Sequence, residues 1–140
     1  MRIETDSAAG TEAAGGDLAG RLAPGDVVAV QGELGSGKTT FVRGACRALG
    51  VVEPVTSPTF AIGQVYEGGS GSGPVEVAHL DLHRVASLGS EDPALLADYL
   101  TPERIAFVEW PGAGEPVFER VAARVLLEHL GGDRRRITIA

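Results

Sequence analysis

Gly32-Glu33-Leu34-Gly35-Ser36-Gly37-Lys38-Thr39 is the stretch on which the reading of this chain turns. It matches the pattern G-x-x-x-x-G-K-[ST] in full. Such a loop must turn its backbone N–H groups inward around phosphate oxygens, and glycines permit the unusual torsions this needs. Lys38 is placed to bridge the β and γ phosphates, and Thr39 to give its hydroxyl to magnesium. Thr40 sits one position on, in reach of the α phosphate. The expected nucleotide contacts are Glu33, Leu34, Gly35, Ser36, Gly37, Lys38, Thr39 and Thr40.

The flanks agree with the loop. Val27 to Val30 is a short apolar run that suits a buried parallel strand. Phe41, Ala45 and Leu49 then share one helical face, and Gly50 suits the helix end. Strand, loop and helix arrive in the order that places a helix N-terminus, with its positive dipole end, against an anion. The chain contains no asparagine, so the asparagine-lysine-x-aspartate signature that reads guanine is absent and ATP is the expected nucleotide.

Outward from the loop, Arg2 to Thr5 reads as an edge strand and Thr11 to Leu22 as a helix weakened by Gly15, Gly16 and Gly20. Phe60 to Tyr66 and Val75 to Leu80 read as a hairpin, with Gly68 to Pro74 as a flexible turn. Asp92 to Leu100 holds a helix start. Ile105 to Val108 reads as a second central strand, Glu115 to Leu130 as a helix facing the core through Val121, Val125 and Leu126, and Arg136 to Ile139 as a closing strand. The alternation predicts an α/β, three-layer P-loop NTPase fold with a mostly parallel central sheet and some antiparallel strands. A length of 140 residues predicts a single domain over 1–140.

Magnesium on a triphosphate needs an anchor beyond Thr39, usually a carboxylate at a strand end beside the loop strand. Asp81 follows Val77 to Leu80, and Glu109 follows Ile105 to Val108. Both sit where ligands bind in open α/β sheets. Either carboxylate suits the metal, and the other the attacking water. Thr59 lies in the loop Thr56 to Thr59, a place for sensing the γ phosphate, although composition alone favours a plain turn. Trp110 either stacks on a base or packs in the core. His79 and His83 flank Asp81, but no cysteine is near to complete a zinc site.

Composition narrows the function classes. Twelve basic against nineteen acidic residues give a net charge of -7, which argues against a protein that coats nucleic acid unaided. Lys38 is the only lysine among those twelve. A compact ammonium fits between phosphates where a planar guanidinium fits poorly. Arg134 to Arg136 reads as solvated surface. A lone cysteine, Cys46, excludes a disulfide framework and suits the cytoplasm. Neither a secretion signal nor a membrane span is apparent.

Four blocks together resemble the TsaE family, also called YjeE. They are Gly32 to Phe41, then Ser57-Pro58-Thr59-Phe60, then His79-Leu80-Asp81-Leu82-His83-Arg84, then Phe107-Val108-Glu109-Trp110-Pro111. The resemblance implies a magnesium-dependent ATPase, slow alone, acting with the TsaD and TsaB proteins. Those partners place a threonylcarbamoyl group on a tRNA adenosine beside the anticodon, and ATP turnover resets the complex. By that resemblance Lys38, Thr59, Asp81 and Glu109 are needed for activity, Thr39 and Glu109 hold metal, and Trp110 lies near the nucleotide. Contact with tRNA is implied through the complex. The family usually has tyrosine where this chain has His83. A small-molecule kinase and a nucleotide-gated binding module with little turnover are the alternatives; phosphate transfer to an acceptor would mark the first.

Overall fold

The computed structural model describes residues 1–33, 35–56, 63–70, 73–82, 98–110 and 121–140. Its elements in chain order are β1 (Arg2–Thr5), α1 (Ala8–Ala19), β2 (Val27–Gln31), α2 (Lys38–Ala48), β3 (Gly63–Ser70), β4 (Gly73–Asp81), β5 (Arg104–Trp110), β6 (Val121–Gly131) and β7 (Arg134–Ile139). All seven strands join one sheet in the order β1-β7-β6-β2-β5-β4-β3. The central four, β6, β2, β5 and β4, run parallel. Antiparallel pairs close both sides, β3 on β4 and β7 between β6 and β1. The fold is the expected α/β one, with a parallel centre and antiparallel flanks.

Val28, Val30, Ile105, Phe107 and Val77 face α1 and α2 and form the larger core with Phe41, Val42 and Ala45. The opposite sheet face buries Val27, Ala29, Ala78, Leu80, Ala106 and Val108, with Tyr99 and Leu100 packed against them. Alternate residues of each central strand therefore feed two cores, which is why these strands read as continuous apolar runs. The helix start expected over Asp92 to Leu100 falls mostly on residues 92–97, outside the described residues.

Helix α1 starts earlier than its spacing suggests. The Ser7 hydroxyl oxygen accepts from the Gly10 amide at 3.0 Å and caps it. One glycine of each helix serves packing. A Cβ on Gly15 would stand 2.1 Å from the Phe41 carbonyl oxygen, and one on Gly44 would stand 2.0 Å from that of Glu12. The two helices touch backbone to backbone. Helix α2 ends as expected at Gly50, with φ at +87°. The Val51 amide donates to Cys46 O and the Gly50 amide to Arg47 O, both at 3.0 Å, which is the Schellman arrangement.

Two expectations need correction. The helix expected over Glu115 to Leu130 is strand β6 over its described part. Ala123, Val125 and Leu127 are buried while Ala122, Arg124 and Leu126 are exposed, a two-residue alternation. The four-residue step from Val121 to Val125 is even, so it fits a strand as well as a helix, and the waiting partners β2 and β7 decide the outcome. Second, Gly68, Gly69, Gly73 and Pro74 are paired strand residues, not a turn. Gly69 donates to the Leu49 carbonyl at 3.0 Å, and a Cβ on Gly68 would stand 2.5 Å from that same oxygen. Those glycines let β3 pass under the end of α2.

Candidate functional site

The site grows from the mouth of the parallel strands. Strand β2 ends at Gln31 and the phosphate loop follows. Gly35 and Gly37 take φ of +82° and +99°, torsions open to glycine, whereas Gly32 keeps an ordinary φ. Gly37 is the N-cap of α2 and has no side chain with which to cap it, so the positive end of the helix opens onto the phosphate loop. Behind the loop stands β6. A Cβ on Gly32 would lie 2.8 Å from the Leu127 carbonyl oxygen and 2.4 Å from Ser36 Oγ. Ser36 is buried, and its hydroxyl has no hydrogen-bond partner among the described residues.

Lys38 is 4% exposed, and its ammonium donates to the carbonyls of Gly32 at 2.6 Å and Glu33 at 2.9 Å. Burial pulls its pKa below the usual lysine value. The carboxylates of Glu109, Asp81 and Glu33 push the other way without overcoming it.

Glu109 and Asp81 meet as register partners across β5 and β4, with Val30 of β2 opposite Glu109 on the other side. Glu109 shares the sheet face of Ile105 and Phe107, the face covered by α2. There the Thr39 hydroxyl donates to Glu109 Oε1 at 3.3 Å and Oε2 at 3.4 Å. Three sequence-predicted residues, Lys38, Thr39 and Glu109, therefore converge, and Asp81 stands beside them. Thr59, Leu34, His83 and the Ser57–Phe60 block lie outside the described residues. Trp110 ends β5 opposite Gln31.

Sequence reasoning missed two contacts. His79 is fully buried, and its Nε2 lies against Glu109 Oε2. The available signal was an imidazole in the apolar run Val77 to Leu80, two residues ahead of Asp81 and so on its face. Arg135, expected at the surface, reaches back from β7. Its guanidinium donates to Gly35 O at 3.2 Å and to Gly132 O at 2.8 Å. No local pattern signals a contact across one hundred residues; only the β6–β7 hairpin creates it.

The residues fit a triphosphate with a hard cation. Thr39 and Glu109 offer oxygen ligands of the kind magnesium takes. The buried ammonium, the Ser36 hydroxyl without a partner among the described residues and the positive end of α2 suit phosphate oxygens. Fold and loop together define a P-loop α/β protein. A family model described as threonylcarbamoyl adenosine biosynthesis protein TsaE matches residues 5–137. The chain belongs to the TsaE family. Among its relatives, the tRNA threonylcarbamoyladenosine biosynthesis protein TsaE of Treponema pallidum (strain Nichols) is 33% identical over 141 residues, covering 100% of each chain. The protein of that name from Streptomyces coelicolor is 38% identical over 122 residues, 87% of this chain and 73% of the relative. The one from Bacillus subtilis (strain 168) is 35% identical over 115 residues, 82% and 69%. The crystal structure of Bacillus subtilis YdiB superposes with a TM-score of 0.70 at 26% identity, covering 99% of this chain and 83% of that one. No helix among the described residues is long and apolar enough to cross a membrane.

Proposed function

We propose that this chain is the ATPase component of tRNA threonylcarbamoyladenosine synthesis, working as one domain in the cytoplasm with TsaD and TsaB proteins. The observation that carries the ATPase reading is the meeting of Lys38, Thr39 and Glu109 at the mouth of β2 and β5. Family membership carries the pathway. In this reading Lys38 leaves the Gly32 and Glu33 carbonyls to take the β and γ phosphates of ATP. The amides opening α2 and the loop residues Glu33 to Gly37 cradle the remaining oxygens, with Thr40 toward the α phosphate and Trp110 beside the base. Thr39 and Glu109 would hold magnesium, whose charge would offset that of the phosphates. Asp81 orients the attacking water, and Thr59 senses the γ phosphate. By its likeness to the family, hydrolysis is slow in the isolated chain and tRNA is engaged through the partners.

The test is ATP turnover measured with and without TsaD, TsaB and tRNA. Magnesium-dependent phosphate release that rises with the partners is the expected result. Transfer of phosphate to a small acceptor would overturn the reading in favour of a kinase.

A further inference from the structure

We propose that His79 is a positioning residue that fixes the rotation of the Glu109 carboxylate and so selects the oxygen presented to the cation. This rests on the reading of Glu109 as a magnesium ligand given above.

Four observations carry it. His79 and Glu109 are 0% and 1% exposed, so neither side chain is ordered by solvent. They lie on one face of neighbouring parallel strands. Asp81 pairs with Glu109 and His79 with Phe107, which makes His79 and Glu109 diagonal neighbours one pleat apart. A carboxylate's terminal torsion is broad, and Thr39 does not fix it, because its hydroxyl stands almost equally far from both oxygens. His79 breaks that symmetry by engaging Oε2, which leaves Oε1 for a metal.

The fourth observation concerns cost. The other ring nitrogen, Nδ1, is buried with no partner among the described residues. An unsatisfied buried polar atom is costly, so an apolar residue would serve packing better between Val77 and Asp81. What the imidazole contributes lies at Nε2. Two lone pairs facing each other would repel, so the proton sits on Nε2 and the ring donates to the carboxylate.

The experiment measures affinity for a non-hydrolysable ATP analogue in magnesium and in EDTA, and Mn2+ binding to the analogue complex by electron paramagnetic resonance. The wild type is compared with His79→Met, which fills the space without a donor, and His79→Gln, which keeps an N–H at similar reach. The expected result is a wild-type gain of about tenfold or more from the metal, lost mostly in His79→Met and kept in His79→Gln. Affinity in EDTA stays level in all three. A His79→Met protein with the full gain, one weakened equally in both conditions, or a folded His79→Gln protein without the gain would overturn the inference while leaving the parent reading in place. A wild type with no gain from metal would overturn the parent reading and this one together.

Discussion

Gly15 and Gly16 are adjacent in α1, and alanine is expected to act on them with opposite sign. A Cβ on Gly15 would lie 2.1 Å from the Phe41 carbonyl oxygen, 3.0 Å from its carbon and 3.1 Å from the Ala45 nitrogen. All three are backbone atoms, so no rotamer change relieves the clash. Clearing even 3.0 Å requires the helices to part by roughly 0.9 Å. Overpacking of this kind costs about 1–3 kcal/mol, and the rigid neighbours put it at the upper end. Alanine's helix preference over glycine returns about 0.8–1 kcal/mol. The net loss is about 2 kcal/mol. A Cβ on Gly16 would meet only Ala48 Cβ at 3.5 Å and Gly44 O at 3.6 Å, ordinary contacts. There the helix preference stands almost alone, and Gly16→Ala should gain about 0.5–1 kcal/mol. At about 4 °C per kcal/mol for a domain of this size, the two variants should melt roughly 10 °C apart. Urea and thermal unfolding followed by circular dichroism measure both, with unchanged m-values expected. Phe41 lies in the first turns of α2, which also carries Lys38, so Gly15→Ala should weaken nucleotide binding and Gly16→Ala should not. A Gly15→Ala protein melting within about 2 °C of the wild type would refute the close-packed crossing.

Lys38→Ala removes the charge proposed to meet the phosphates and should cut turnover by about a hundredfold or more, measured with the full complex. Glu109→Ala should lower turnover through the metal position, with the loss greatest at limiting magnesium; an unchanged magnesium dependence would count against it. Arg135→Ala should raise the Kd for ATP and ADP alike by up to about tenfold, since the contact shapes the loop and not the γ phosphate, and Arg135→Lys should recover part of it. Burial pushes the Cys46 thiol up to about 12, with the Glu109 charge adding to the effect. The folded state then holds a proton that the unfolded chain releases above about 9, so stability falls as pH rises from 9 toward 12. Cys46→Ala should remove that slope, worth about 1.4 kcal/mol at pH 10, when urea unfolding is compared at pH 8 and 10.

The centre of the molecule was readable because its signals are local. A strand, loop and helix follow one another within Val27 to Leu49, and each acidic site residue directly follows its apolar run. The parts that were not readable depend on distant partners. Strand β6 carries leucines, alanines and an even spacing that suits either period, and its identity comes from β2 and β7 on its two sides. Gly15 looks like a helix weakener until α2 is brought against it. Arg135 looks like surface until the hairpin turns it toward Gly35. His79 announces itself only by chemistry, an imidazole in an apolar strand, and its partner sits thirty residues away on another strand.

Charge explains how these parts act as a unit. Glu33, Asp81 and Glu109 all act on the Lys38 ammonium, so one buried cation faces three carboxylates. Adding a triphosphate to that set brings further negative charge into a confined space. Lys38 can neutralise part of it, since the Gly32 and Glu33 carbonyls engage two of the three protons on its ammonium. In the proposed reading a divalent cation would answer the remainder, with Thr39 and Glu109, which meet through a hydrogen bond, as its oxygen ligands. The arrangement therefore favours nucleotide and metal arriving together. On the proposal made above, His79 stands where an apolar residue would pack better because a carboxylate that shared one cation with a triphosphate would have to present a defined oxygen.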